Sequence, residues 1–237
     1  MKRISELEVK CPEGIVFKKV DFNQDELDKV VKLNCAPKSK AVVLLDGAPQ
    51  SEANTEIDWK RIKKFGNTNL EVYAVSKAPF KILFGFGGYD FEERKTGLTT
   101  KLGFTGTVTL EVLDFKEVLN SVAGVEELAE DAATSQFRTS VCDLVLSAIN
   151  AANYGDGLKK AKLGDVEQIL GEVKNNDEPD GLKNKFKNYF SQKGLLVKEF
   201  SLRVNFPGDF QEKYQEKRDS EADAKELATQ MKILKGE

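Results

Sequence analysis

Histidine is missing from all 237 residues. With it go the Ser-His-Asp and Cys-His nucleophile arrangements, HExxH zinc sites and imidazole acid–base chemistry. Lys, Asp and Glu can still move protons, so the absence narrows the range of enzymes without closing it. Cysteine is scarce too. Cys11, Cys35 and Cys142 are odd in number and far apart, with no CxxC or other metal-ligand spacing. That pattern does not fit a disulfide framework, and a reducing, cytoplasmic compartment is the simplest inference. Each thiol reads as a small hydrophobe, wholly or partly buried. Long apolar runs are also lacking. Ala41–Leu45 and Ile82–Phe84 have core-strand dimensions, well short of the roughly 20 apolar residues that span a bilayer. The opening Met1-Lys2-Arg3-Ile4-Ser5-Glu6-Leu7-Glu8 carries charge but no apolar segment behind it, so neither a signal peptide nor a membrane span is expected. Finally, there is no excess of positive charge. Lys and Arg number 36 against 39 Asp and Glu, a net −3, which argues against nucleic acid as a partner.

What is present suits a mixed fold. Hydrophobic residues make up 40% and charged residues 32%, enough to fill a core at this length without metal or disulfide. Strand periodicity dominates the first half and helix periodicity the second. One late strand lies between helices, which is an α+β order. Ile15–Val20, Val30–Asn34 and Lys40–Leu45 read as early strands, with Asp46-Gly47 as a turn. Ile57–Phe65 is open between a short helix carrying Trp59 and Ile62 inward and an irregular strand. Leu70–Val75, Phe80–Phe84 and Phe91–Arg94 read as three further strands. In Leu102–Leu113, Phe104, Val108, Leu110 and Val112 alternate with Thr105, Thr107, Thr109 and Glu111, which predicts an antiparallel strand with one face on the core.

Asp114 is placed to cap a helix over Phe115–Val122. Gly124 interrupts it, and Val125–Ala152 reads as an amphipathic helix through Phe137, Val141, Leu144, Val145, Ala148, Ile149 and Ala152. Tyr154-Gly155-Asp156-Gly157 reads as a break. Helices are expected at Asp165–Val173 and Gly181–Gln192, with Gly194 as the stop of the second. Leu195–Phe206 returns to strand period through Phe200, Leu202, Val204 and Phe206. From Asp209 onward the chain reads as a charged helix, either exposed or opening a coiled coil.

Candidate chemistry is thin. Gly85-Phe86-Gly87-Gly88 is followed by strand-like residues rather than a helix, so it reads as a turn or bulge and not as a phosphate loop. Glu92-Glu93, Glu126-Glu127 and Glu130-Asp131 read as solvated faces. Lys60-Arg61-Ile62-Lys63-Lys64 is the longest basic run. It reads as a solvated edge, with anionic headgroups as the functional alternative. Phe80, Phe84, Phe86, Tyr89, Phe91 and Phe104 concentrate in one β region and read as sheet core. Phe86 and Tyr89, beside glycines, are expected to be exposed.

Three segments in this order resemble a known family. Leu113-Asp114-Phe115-Lys116-Glu117-Val118-Leu119 is similar to a strand-to-helix turn in which Asp is usual and Pro stands where Phe115 is here. Phe137-Arg138-Thr139-Ser140-Val141 resembles a helical Leu/Phe-Arg-x-x-Val segment. Phe190-Ser191-Gln192-Lys193-Gly194-Leu195-Leu196-Val197-Lys198-Glu199-Phe200-Ser201-Leu202 is similar to a helix, glycine and strand that follow. Together they resemble the SPFH (band 7, prohibitin-homology) domain over roughly Val30 to the C-terminus. The soluble bacterial virion-core-like branch is the most similar, through Leu70–Lys77 and Phe84-Gly85. A Gly-rich turn expected after Asp46-Gly47 is replaced by Ser51-Glu52-Ala53-Asn54, and the hydrophobic N-terminal anchor of many relatives is missing.

The resemblance implies an SPFH-like α+β domain over 1–207. Its N-terminal half is antiparallel and β-rich, packed with helices, and its late strand returns to the sheet. Residues 208–237 form an exposed C-terminal helix. It also implies a non-catalytic scaffold without cofactor or metal that forms homo-oligomers and holds protein partners, with peripheral membrane association as a further role. The alternative from another class is a module that binds a protein or peptide through a sheet edge or the Phe86–Tyr89 turn. A histidine-free enzyme ranks last. Partner contacts are expected at Phe86, Tyr89, Phe210, Tyr214, Leu227 and Met231.

Overall fold

A computed structural model describes residues 6–21, 30–62, 69–122, 124–151 and 155–235; the side chains of 60, 61, 155, 156 and 230–235 are outside that description. The fold is α+β. Its strands are β1 (Glu6–Val9), β2 (Ile15–Lys19), β3 (Lys32–Cys35), β4 (Ser39–Leu45), β5 (Ala48–Ala53), β6 (Glu56–Asp58), β7 (Leu70–Ser76), β8 (Phe80–Glu92), β9 (Thr99–Val112), β10 (Glu127–Ala129) and β11 (Leu195–Asn205). Its helices are α1 (Trp59–Ile62), α2 (Phe115–Ser121), α3 (Glu130–Ile149), α4 (Gly155–Lys159), α5 (Val166–Asn175), α6 (Leu182–Ser191) and α7 (Gly208–Lys235). The strands form sheets of order β1-β3-β6, β10-β2-β7-β4-β5 and β11-β9-β8. Two compact units result: Met1–Leu83 with Thr107–Val141 and Phe186–Ser201, and Phe84–Gly106 with Cys142–Lys185 and Leu202–Glu237.

The first unit is organised by β4, every residue of which is buried. Its apolar run lies between two partners, antiparallel to β5 and to β7. Asp46 and Gly47 turn the β4–β5 hairpin with φ of 50° and 76°, the positive angles that a two-residue hairpin favours. Ala41, Val43, Val72 and Ala74 pack with Leu33, Ile57, Trp59 and Ile62. Trp59 and Ile62 thus point inward from the single turn of α1. Each such side chain contributes roughly 1.5–3 kcal/mol of burial. Tyr73 meets Phe17 and Phe115, with ring centroids 5.1 Å apart for Tyr73–Phe115 and 5.2 Å for Phe17–Phe115. In contrast to the otherwise antiparallel pairing of this unit, β1 runs parallel to β3.

The late strand returns as expected. Thr107 meets Ser201, Thr109 meets Glu199 and Glu111 meets Lys198, a descending register that makes β11 antiparallel to β9. Asp114 caps α2, its carboxylate accepting from the backbone N–H groups of Lys116 and Glu117. Gly194 lies against that cap. Its carbonyl accepts from Leu113 N and Asp114 N, each at 2.9 Å. It has φ +70°, and a Cβ added there would sit 2.1 Å from the Asp114 carbonyl oxygen. Glycine is therefore required at this position for both its angle and its lack of a side chain.

Four expectations are corrected. Phe80–Phe84 and Phe91–Arg94 are not separate strands: β8 runs unbroken from Phe80 to Glu92. Gly85-Phe86-Gly87-Gly88 is therefore strand rather than turn, irregular at Gly88, where φ is +90°. Pairing beside β9 along this stretch overrides the punctuation value of the glycines. The helix expected from Val125 begins at Glu130, because Glu127–Ala129 pair with β2. There Leu128 is buried and Glu127 bonds Lys18 at 2.7 Å. Gly155-Asp156-Gly157, expected as part of a break with Tyr154, open a short helix, Gly155–Lys159. Ala152, Tyr154, Lys63 and Lys64 lie outside the described residues.

Candidate functional site

Five of the six expected contact residues can be placed by their side chains, all in the second unit. Phe206 precedes Pro207, and α7 starts at Gly208 with Phe210 in its first turn. Phe210 is buried, 5.9 Å from both Phe91 and Phe206 by ring centroids and stacked on the latter. Tyr214, at i+4, stacks on Phe210 at 6.4 Å and carries Arg218 over its ring at 5.9 Å. These rings bolt the first turns of α7 to β8 and to the end of β11. One turn further on, Lys217 Nζ donates to the carbonyl of Thr96, in the turn between β8 and β9.

Beyond that anchor the helix changes character. From Gln215 to Thr229 every residue is exposed, and Leu227 stands 57% accessible. Met231 belongs to the same helix, but its side chain lies outside the description. Phe210 and Tyr214 thus fasten the helix, whereas Leu227 is presented by it.

The other pair departs from expectation. Tyr89 is buried, 7% exposed, with its ring edge-on to Phe104 at 5.7 Å. Phe86 is half-buried against the same ring at 5.2 Å. Because β8 is an outer strand of its sheet, the sheet edge and the Phe86–Tyr89 stretch are one place. Both residues line a cleft of about 240 Å³ with Leu146, Asn150 and Lys159.

The sequence reading missed Glu93. Taken as part of a solvated acidic run, it is fully buried. Oε2 accepts from Lys95 N at 2.9 Å, Thr96 N at 2.7 Å and Thr96 Oγ1 at 2.9 Å, and Oε1 accepts from Leu163 N at 3.3 Å. Burial disfavours its charge, but the hydrogen bonds, led by those of Thr96, outweigh it and hold the carboxyl below its ordinary value. The acid followed by Thr96-Gly97 was the available signal, since a carboxylate that accepts N–H groups two and three residues on builds a turn.

The thiols are placed for packing. Burial, then the charge of Glu127, pushes Cys11 up to about 11, and burial raises Cys35. Cys11 lines a cleft of about 860 Å³ with Pro12, Pro37, Ser39 and Pro79. Its thiol donates to Ile15 O at 3.2 Å, and Ser39 Oγ accepts from its backbone N–H. Among the described residues no three His, Cys, Asp or Glu side chains gather as metal ligands. No described helix is long and apolar enough to cross a membrane. The chain matches no family model, and a search of curated proteins finds no match.

Proposed function

We propose that the chain is a non-catalytic scaffold domain of the SPFH (band 7) type, which associates with copies of itself and organises protein partners. The observation that carries this reading is α7, a 28-residue helix fastened at its base and exposed from Gln215 to Thr229. Helices in proteins are stabilised mostly by packing an apolar face, and one that is polar and solvated all round gains little from its own domain. An external partner accounts for its length. The resemblance itself is supported by the meeting of Asp114 and Gly194, which joins two of the segments that carry it. The non-catalytic part is supported by Glu93, Cys11 and Cys35, whose shifted groups serve turns and packing. Contact with a membrane, in this reading, is peripheral.

Sedimentation of the chain across a wide concentration range tests the proposal. Assembly beyond the monomer, weakened by Leu227→Asp, is expected; a strict monomer at high concentration overturns it. A second reading, a peptide-binding edge, is favoured by the position of Phe86 in an outer strand beside a cleft. Its mark would be a partner recovered with the chain and lost in Phe86→Ala, with assembly unchanged.

A further inference from the structure

The second unit carries two uncovered surfaces of opposite charge. The first is basic and is assembled from segments some 60 residues apart in sequence. Arg94 N donates to Ala161 O at 3.1 Å, which sets the β8–β9 turn beside Lys160 and Lys162. Lys159 and Lys160 share a cleft of about 310 Å³ with Thr99 and Thr100. Arg94, Lys95, Lys101, Lys159, Lys160 and Lys162 are all exposed. Among the described residues none of them makes an ion pair or a side-chain hydrogen bond. Asp90 and Glu92 also line that cleft, where they equal the two lysines in number; over the whole patch they stand against six bases.

The second surface is on α7. Glu212, Glu216, Asp219 and Asp223 recur at four, three and four, which at about 100° per residue puts them within roughly 60° of arc. All four are exposed. Like charges at these spacings destabilise a helix. Among the neighbours three and four residues away, Lys213 is the sole cation, and it bonds Asp209 at 3.1 Å. Lys217, which faces the β8–β9 turn, lies roughly 130° around the helix from the centre of this stripe. The stripe is therefore directed away from its own anchor.

We propose that the basic patch receives the acidic stripe of α7 from a second copy of the chain. This rests on the self-association reading and names its surfaces. Patch and stripe are different, so the contact is heterologous: each copy offers one and receives one, and repetition gives a ring or a filament. Complementary charge also makes the assembly sensitive to salt.

Reciprocal charge reversal tests the proposal in the full chain. One variant carries Lys159→Glu, Lys160→Glu and Lys162→Glu. The other carries Glu212→Lys, Glu216→Lys, Asp219→Lys and Asp223→Lys. All seven positions are exposed, so melting temperatures close to the parent's are expected. Each variant should self-associate at least about tenfold more weakly than the parent in sedimentation at low salt. An equimolar mixture should form mixed assemblies in which the two variants alternate, and the chain carrying both sets should regain assembly. Assembly of both variants at parental strength overturns the proposal while leaving self-association intact. A parent that is itself monomeric overturns both. If the patch reversal abolishes binding to anionic vesicles and leaves assembly untouched, the patch serves a membrane and the proposal also falls.

Discussion

The two units use their charges differently. In the first, ion pairs join strands and turns that are distant in sequence. Lys19 bonds Glu71 and Glu126, 52 and 107 residues away, Lys18 bonds Glu127, and the buried Lys40 bonds Glu52. In the second, the described pairs are local: Lys183–Asp177, Lys185–Asp180 and Lys213–Asp209 span six, five and four residues. Six of its other basic groups, Arg94, Lys95, Lys101, Lys159, Lys160 and Lys162, gather around the β8–β9 turn with no ion pair among the described residues. One unit uses charge to close its own sheet. The other leaves charge on its surface, where it can act on something else.

The difference can be broken most severely from the first unit. Phe115 meets Phe17 and Tyr73 and is 2% exposed. Phe115→Ala should cost about 3–5 kcal/mol, read by urea unfolding. Gly194→Ala comes next, at about 3 kcal/mol, because the new Cβ meets a carbonyl oxygen while the backbone is held at positive φ. A neutral result at Gly194 would mean that the β9–α2 junction is free to shift, and the closure of the first unit would be looser than described.

Glu93→Gln is the counterpart in the second unit. Loss of the charge should cost about 2 kcal/mol, since hydrogen bonds to an ionised buried acceptor are worth about 1.5–3. The sign of its pH dependence is fixed by the lowered carboxyl. Glu93 contributes in full above the unfolded value of about 4.3, and the contribution is lost as pH falls through the lower folded value. The parent should therefore lose stability in acid more steeply than the variant. Parallel curves would show that the turn does not depend on that charge.

Glu93 also marks the limit of what the sequence made legible. The alternation over Leu102–Leu113, the cap at Asp114, the stop at Gly194 and the charged last helix were readable, because each depends on neighbours along the chain. Thr96-Gly97 after Glu93 signalled a local turn, but the bond from Leu163, 70 residues away, and the burial that goes with it had no local sign. The same holds for the basic patch, whose halves are brought together by tertiary bonds such as that of Arg94 N to Ala161 O. At Gly85–Gly88 local signals left a turn or a bulge open; pairing in the sheet ruled out the turn, with an irregularity at Gly88. Glu127–Ala129 fit a helical pattern until Lys18 and Lys19 on β2 supplied partners for the acids. What was missed is what tertiary contact decides.

The smallest effect bears most directly on the comparison. Lys19 Nζ lies 2.7 Å from Glu71 and 3.1 Å from Glu126, and these two bonds, Glu71's first, raise its pKa. Lys19→Met removes the cation between two carboxylates. The loss should be about 1 kcal/mol, the upper range for partly exposed pairs, and it should shrink in high salt. Lys160→Met removes an exposed cation with no ion pair among the described residues, so stability should stay within about 0.5 kcal/mol of the parent. Chemical denaturation at two salt concentrations measures both. Equal losses would erase the distinction between the units. A cost at Lys19 with none at Lys160 would sharpen it, because the basic patch would then be charge that folding does not use.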